Sequence, residues 1–278
     1  MNIQWFPGHM AKAIREAEQN LKIVDAVVYV LDSRAVQACI NNHFLKLIGN
    51  KPVLYVLNKA DLADGKTNRE WIKHLTKEGT LAVSVIATRS GGAKVIIPEI
   101  KTLVSAQIEK WKKKGINYTP KVMIAGIPNT GKSSIINSLC GAGRTKTGNK
   151  PGVTRGRQWV RVGNIIDMLD TPGVLAPKLD DTDLAKHLAF IGSIRDDILD
   201  IVELAREFLD EMNANFKDNL INRYGASIDA LEDIAKSRGY LLKGGELDVE
   251  RTAKAVLDDF RSGRLGNISL ENPPVVEK

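Results

Sequence analysis

Short uninterrupted apolar runs alternate with amphipathic stretches through the first two-thirds of the chain. Ala26–Leu31 (AVVYVL) and Val53–Leu57 (VLYVL) lack the polar alternation of a half-exposed strand and predict strands covered on both faces. Further strands are predicted over Leu81–Ile86, Lys121–Ala125, Gln158–Val162 and Ile165–Leu169. Helical spacing of apolar positions marks Ala11–Ile23, Thr67–Gly79, Ile96–Trp111 and Ser133–Leu139. This alternation predicts an α/β architecture, a mostly parallel sheet with helices on both faces. Beyond residue 180 the pattern changes to helices alone, over Leu184–Met212, Ile228–Ser237 and Glu250–Arg261. The boundary falls in the stretch APKLDD, giving an α/β domain over 1–178 and a small all-helical domain over 179–278. The tail Asn272–Lys278, with its proline pair, is expected to fray.

Composition refines this picture at three points. The 278 residues, 43% hydrophobic and 26% charged, fit two globular domains rather than a disordered chain. The net charge of +7 is unevenly placed: residues 1–180 hold 27 basic and 13 acidic side chains, residues 181–278 hold 13 and 20. Two cysteines, Cys39 and Cys140, supply neither a disulfide framework nor a four-ligand zinc site. The opening residues lack a charged lead followed by an apolar run, and no stretch approaches the roughly 20 apolar residues of a membrane span. A cytoplasmic protein without a membrane partner is the expectation.

The strongest chemical signal is Gly126–Ser133 (GIPNTGKS), which follows the predicted strand KVMIA and opens a helix. That context is the one a phosphate-binding loop requires. Glycines let successive backbone N–H groups turn inward around phosphates, and the backbone of Asn129, Thr130, Gly131, Lys132, Ser133 and Ser134 is placed to do so. Lys132 would neutralise the outer phosphates and Ser133 would ligate Mg2+.

The phosphate loop alone does not choose a base. Asn58-Lys59-Ala60-Asp61, directly after the strand VLYVL, does: Asp61 can accept both the N1–H and the exocyclic amine of guanine, a donor pair that adenine lacks. GTP and GDP are therefore the expected ligands. Asp170-Thr171-Pro172-Gly173 ends the strand IIDML, placing Asp170 to hold a magnesium-bound water and the Gly173 amide to sense the terminal phosphate. Thr154, in Pro151-Gly-Val-Thr154, is either a switch threonine closing over Mg2+ and the γ-phosphate or part of a plain turn.

The order of these motifs is unusual, because the guanine motif precedes the phosphate loop. On this order, and on the opening Trp5-Phe6-Pro7-Gly8-His9-Met10, essentially the whole chain resembles the circularly permuted GTPases of the bacterial ribosome biogenesis GTPase A (YlqF/RbgA) type. The resemblance implies a circularly permuted Ras-like P-loop GTPase domain, an RNA-binding helical domain and a role in late maturation of the large ribosomal subunit. It points to His9 as the residue that replaces the water-orienting glutamine, since Val174 follows Gly173 and has no polar side-chain atom. The alternative for His9 is a turn with the imidazole capping or packing. With the resemblance, the catalytic set is His9, Lys132 and Thr154. Asn129 resembles the asparagine of potassium-stimulated GTPases, which adds K+ as a candidate; the alternative is a polar loop residue. The family's guanine-stacking loop corresponds to Ala87-Thr88-Arg89, where a backbone amide at Ala87 or Thr88 is the available base contact. Asp32-Ser33-Arg34 resembles the family's D-A-R-x-P segment, with Ala35 and Val36 where proline is expected.

Residues 101–161 carry thirteen Lys and Arg against one acid, Glu109. Such density is the electrostatic footprint of an RNA partner, although the Lys110–Lys114 run around Trp111 also suits a solvated helix end. In the acidic helical part, RNA contact would need a local stripe, with Lys217, Arg223, Arg238, Lys243, Arg251, Lys254, Arg261 and Arg264 as candidates. The functional expectation is a monomeric GTP-hydrolysing assembly factor, slow alone and stimulated by ribosomal particles, acting on the large-subunit precursor and its rRNA. The alternative is a GTP-gated switch on tRNA or another RNA with little intrinsic hydrolysis.

Overall fold

A computed structural model describes residues 15–140, 158–171, 173, 181–225 and 228–274. The described chain forms two compact units: residues up to 180 together with 269–274, and residues 181–268.

The first unit runs α1 (described over 15–21), β1 (Ala26–Asp32), α2 (Val36–Cys39), α3 (Asn42–Ile48), β2 (Val53–Asn58), α4 (Gly65–Leu75), β3 (Thr80–Ser84), α5 (Ile96–Leu103), α6 (Ser105–Lys112), β4 (Lys121–Ala125), α7 (Lys132–Cys140), β5 (Gln158–Val162) and β6 (Ile166–Asp170). The six strands make one sheet in the order β3-β2-β1-β4-β6-β5. All neighbours are parallel except β5, which runs antiparallel to β6 at the edge. Every residue of β1 and β2 is buried, as unbroken apolar runs between two helical layers must be. One face packs Val28, Val30, Leu54 and Val56 against Ile96 and Ile100 of α5 and Ile135 and Ile136 of α7. On β1, Tyr29 stacks on Phe44 of α3 at 5.7 Å.

Two predicted helices prove to be pairs. Ile96–Trp111 breaks at Val104, whose φ of −106° and ψ of 16° end α5 before α6 starts. In the second unit, Leu184–Met212 divides into α8 (Thr182–Phe190), a 3-10 turn (Asp196–Ile198) and α9 (Ile201–Asn215). Gly192 at φ +75° permits the turn, and Asp200 restarts the helix by accepting from the Val202 and Glu203 amides. α10 (Lys217–Tyr224), α11 (Leu231–Arg238) and α12 (Val249–Arg261) complete this unit. Its centre is a chain of rings, Phe190, Phe208 and Phe260, with centroids 5.1 and 5.0 Å apart.

The tail departs from expectation. Residues 269–274, assigned by sequence to the helical domain, pack on the α/β unit instead, and Glu271 is buried there. Among the described residues no helix is long and apolar enough to cross a membrane.

Candidate active site

Parallel strands bring their carboxyl ends to one side of the sheet. In register, Asp32 lies opposite Asn58, Tyr29 opposite Ala125 and Ile124 opposite Asp170. From β1 the chain proceeds outward through β2 to β3, whereas β4, also beside β1, begins a second run toward β6. The crevice between β1 and β4 is therefore a topological switch point, where open α/β sheets hold their ligands.

The loop between β4 and α7 is shaped by close approach. At Gly126, φ +143°, a Cβ would stand 2.4 Å from the Val30 carbonyl oxygen; at Gly131, φ +95°, it would stand 2.2 Å from Asn58 Nδ2. Asn129 adopts φ +62°, a left-handed conformation that asparagine tolerates better than most residues. Thr130 Oγ1 donates to the Ile127 carbonyl at 3.1 Å. Lys132 is buried at the head of α7, its Nζ donating to the carbonyls of Gly126 at 3.1 Å and Ile127 at 2.8 Å. Burial pushes this ammonium down to about 8 against the opposing pull of Asp170. Ser133 and Ser134 follow in the first turn of α7.

The motif after β2 is fastened to this loop from both ends. Buried Asn58 donates through Nδ2 to the Thr130 carbonyl at 2.8 Å and accepts from the Ala87 amide at 3.1 Å. One side-chain amide thus joins three of the predicted motifs. Lys59 sits at φ +59°, and its Nζ lies 2.7 Å from Asp32 Oδ2. Burial lowers the Lys59 ammonium, and the Asp32 charge opposes that shift. Asp61 is exposed at the rim, beyond the turn closed by Leu62 N–H donating to the Lys59 carbonyl at 2.9 Å.

On the other side of the phosphate loop, Asp170 is buried at the end of β6. Desolvation raises its carboxyl to about 6 although Lys132 pulls it down. Among the described residues its Oδ1 has no hydrogen-bond donor. A buried carboxylate oxygen in this state suits a hard divalent cation or its water. Thr171 Oγ1 donates to the Ile124 carbonyl at 2.6 Å, and a Cβ on Gly173 would stand 2.7 Å from Pro128 N, so only glycine fits against the loop. His9 and Thr154 lie outside the described residues, as do Arg144, Lys146, Lys150, Arg155 and Arg157.

Reasoning from sequence missed the anion at the centre of the base side. Asp32 is fully buried, held by Arg34 through Nε to Oδ1 at 2.9 Å and Nη2 to Oδ2 at 2.8 Å, and by Lys59. Burial pushes its carboxyl up, but the two cations outweigh this and hold it well below the ordinary carboxylate range. An acid closing a fully apolar strand was the available signal, since a buried charge is tolerated only when it is paired.

A phosphate loop between β4 and α7, an N-K-x-D loop after β2 and a D-T-P-G strand end at β6 define a P-loop GTPase, and the motif order makes it a circularly permuted one. The family model of the 50S ribosome-binding GTPases matches residues 121–230. Ribosome biogenesis GTPase A of Bacillus cereus is 39% identical over 98% of this chain and 95% of its own length; that of Thermotoga maritima is 33% identical over 98% and 95%. The solved GNP-bound YlqF from T. maritima superposes with a TM-score of 0.64 at 28% identity, covering 95% of this chain and all of its own. The chain belongs to the ribosome biogenesis GTPase A family. It is a guanine-nucleotide-binding protein and a GTPase.

Proposed function

We propose that this protein couples GTP binding and hydrolysis to late maturation of the large ribosomal subunit, engaging the precursor particle and its rRNA in one nucleotide state. The observation that carries the reading is the near full-length relationship to ribosome biogenesis GTPase A, spanning the nucleotide motifs and the helical unit together. It acts in the cytoplasm as a monomer.

Within this reading, Asp61 pairs with guanine, and Lys59 flanks the base. Ala87 is held beside them by Asn58. The amides from Asn129 to Ser134 cradle the phosphates, and Lys132 exchanges its loop carbonyls for phosphate oxygens. Ser133 and Thr154 would hold Mg2+, with Asp170 acting through water. When bound, the ion supplies charge neutralisation at the β- and γ-phosphate oxygens. Gly173, packed on Pro128, reports the terminal phosphate. Asn129 is the residue we assign to K+, whose test is turnover in potassium against sodium. With Val174 unable to orient water, His9 takes that role, and His9→Ala is expected to abolish particle-stimulated turnover.

RNA contact in the helical unit is best supported at one open cleft lined by Asn219, Asn222, Arg223 and Arg264. Buried Asp259 fixes both arginines by their Nε atoms. Both arginines line the cleft, and a guanidinium is the side chain suited to bidentate recognition of a phosphate. Arg261, another candidate, is occupied by the Phe190 and Ala189 carbonyls and Asp196. On the α/β unit, edge strand β5 exposes Trp159 and Arg161, a few positions after Thr154 in the sequence. Sedimentation with large-subunit precursors in GDP and in a non-hydrolysable GTP analogue tests the function. Co-sedimentation only with the analogue, plus turnover raised by the particles, is the expected result; equal sedimentation and no stimulation would refute it.

A further inference from the structure

After α12 the chain leaves the helical unit at Ile268, and the residues that follow lie across the base side of the α/β unit. The Asp64 amide donates to Ser269 Oγ at 3.1 Å. Leu270 N–H donates to the Arg34 carbonyl at 2.8 Å. Glu271 takes the amides at the start of α2: Gln37 N–H donates to Oε2 at 2.5 Å and Ala38 N–H to Oε1 at 3.2 Å. Its own carbonyl accepts from Nε1 of fully buried Trp71 of α4 at 3.1 Å. Four backbone groups, of Arg34, Gln37, Ala38 and Asp64, and one buried indole thus seat one tripeptide.

The segments it seats are those that frame the guanine loop. Arg34, held through its carbonyl, grips Asp32, and Asp32 grips Lys59 in its left-handed conformation. Asp64, held through its amide, caps α4 by accepting from Thr67 N–H and stands three positions beyond Asp61. The loop 58–64 is therefore braced at both ends from residues 269–271.

We propose that Ser269–Glu271 is a positioning strap for the guanine-recognition loop, so that discrimination for the guanine base depends on the C-terminal tail. The proposal rests on Asp61 as the guanine acceptor. A brace serving stability alone would change the unfolding midpoint and leave base preference intact. A positioning strap acts on the two hydrogen bonds that Asp61 makes to guanine, of which the base of inosine diphosphate, lacking the exocyclic amine, can make one.

The test uses the full chain, with GDP, inosine diphosphate and xanthosine diphosphate competing against a fluorescent GDP analogue. Glu271→Gln is expected to reduce the preference for GDP over inosine diphosphate by about five-fold or more, with inosine diphosphate affinity changed less than about two-fold because the phosphate loop is untouched. Ser269→Ala, which removes one hydroxyl, is expected to give a smaller shift in the same direction and carries the test if Glu271→Gln does not fold. An unchanged GDP to inosine diphosphate ratio in a folded variant, or an equal loss for both, overturns the strap. Asp61→Asn separates the two levels: it should transfer preference to xanthosine diphosphate, and failure to do so overturns the guanine assignment. A transfer with unaltered ratios in both strap variants overturns the strap alone.

Discussion

The side-chain amide of Asn58 gives its NH2 to the phosphate loop at Thr130 and its carbonyl to the Ala87 amide. Neither a methyl group nor a carboxylate can do both. Asn58→Ala leaves a buried carbonyl and a buried N–H without partners, at a cost of about 2–3 kcal/mol. Denaturant unfolding should show that loss, and GDP affinity should fall at least about ten-fold as the two loops separate. Asp170 makes the opposite kind of prediction. Its carboxyl is raised from 3.8 to about 6, so between these values the folded protein binds the proton more tightly than the unfolded chain does. Stability from this group is present below pH 3.8 and lost as pH rises through 6, leaving a penalty of up to about 3 kcal/mol at neutral pH. Asp170→Asn should therefore unfold at higher denaturant than the parent at pH 7.5 in nucleotide-free protein. The gain should be roughly 1–2 kcal/mol, because Lys132 loses a counter-charge, and it should shrink at pH 4. The same variant should lose the Mg2+ dependence of GTP affinity.

At the scale of elements, Arg261 of α12 closes the C-terminal end of α8. It donates to the Phe190 carbonyl at 2.9 Å and the Ala189 carbonyl at 2.8 Å and reaches both oxygens of Asp196. Arg261→Met should cost about 1–3 kcal/mol in chemical unfolding, most of it from the orphaned carbonyls rather than the half-exposed ion pair. Lysine should restore part, since one ammonium cannot span the fork. Strands β1, β2 and β4 were legible because burial writes an apolar run, and β5 because an edge strand alternates exposed Trp159 and Arg161 with buried Val160 and Val162. The bounds of β4 and β5 agree with the reading to the residue. Helices were less so. Apolar spacing continues in phase across Val104 and across Gly192, where the backbone does not. α10, with Leu220 as its one buried side chain among the described residues, is too short and polar to show a period. Local strings revealed the phosphate and guanine motifs, whereas the pairing of Lys59 with Asp32 depends on which strands lie side by side. The strap was invisible for the same reason, since Glu271 and Gln37 are 234 positions apart.

For the molecule as a whole, the helical residues 181–268 are joined to the GTPase unit at their two ends, by connections of unequal length. Eight positions separate Gly173, packed on the phosphate loop, from Asp181, which caps α8 by accepting from the Asp183 and Leu184 amides. A chain of that length can span up to about 28 Å when extended, so this join can absorb a small displacement of the switch. At the other join Ile268, buried in the helical unit, is followed directly by Ser269, which accepts from the Asp64 amide. A shift at Gly173 would be passed along the chain through the first join, while the second ties Ile268 directly to the strap. Small-angle scattering of the full chain should differ between GDP and a GTP analogue. Inserting Gly-Ser-Gly-Ser between Ile268 and Ser269 leaves every strap hydrogen bond able to form yet lengthens the second join, and the difference should disappear. Identical curves for the two nucleotides in the parent protein would refute coupling altogether. A difference that survives the insertion would assign it to the 174–180 join alone.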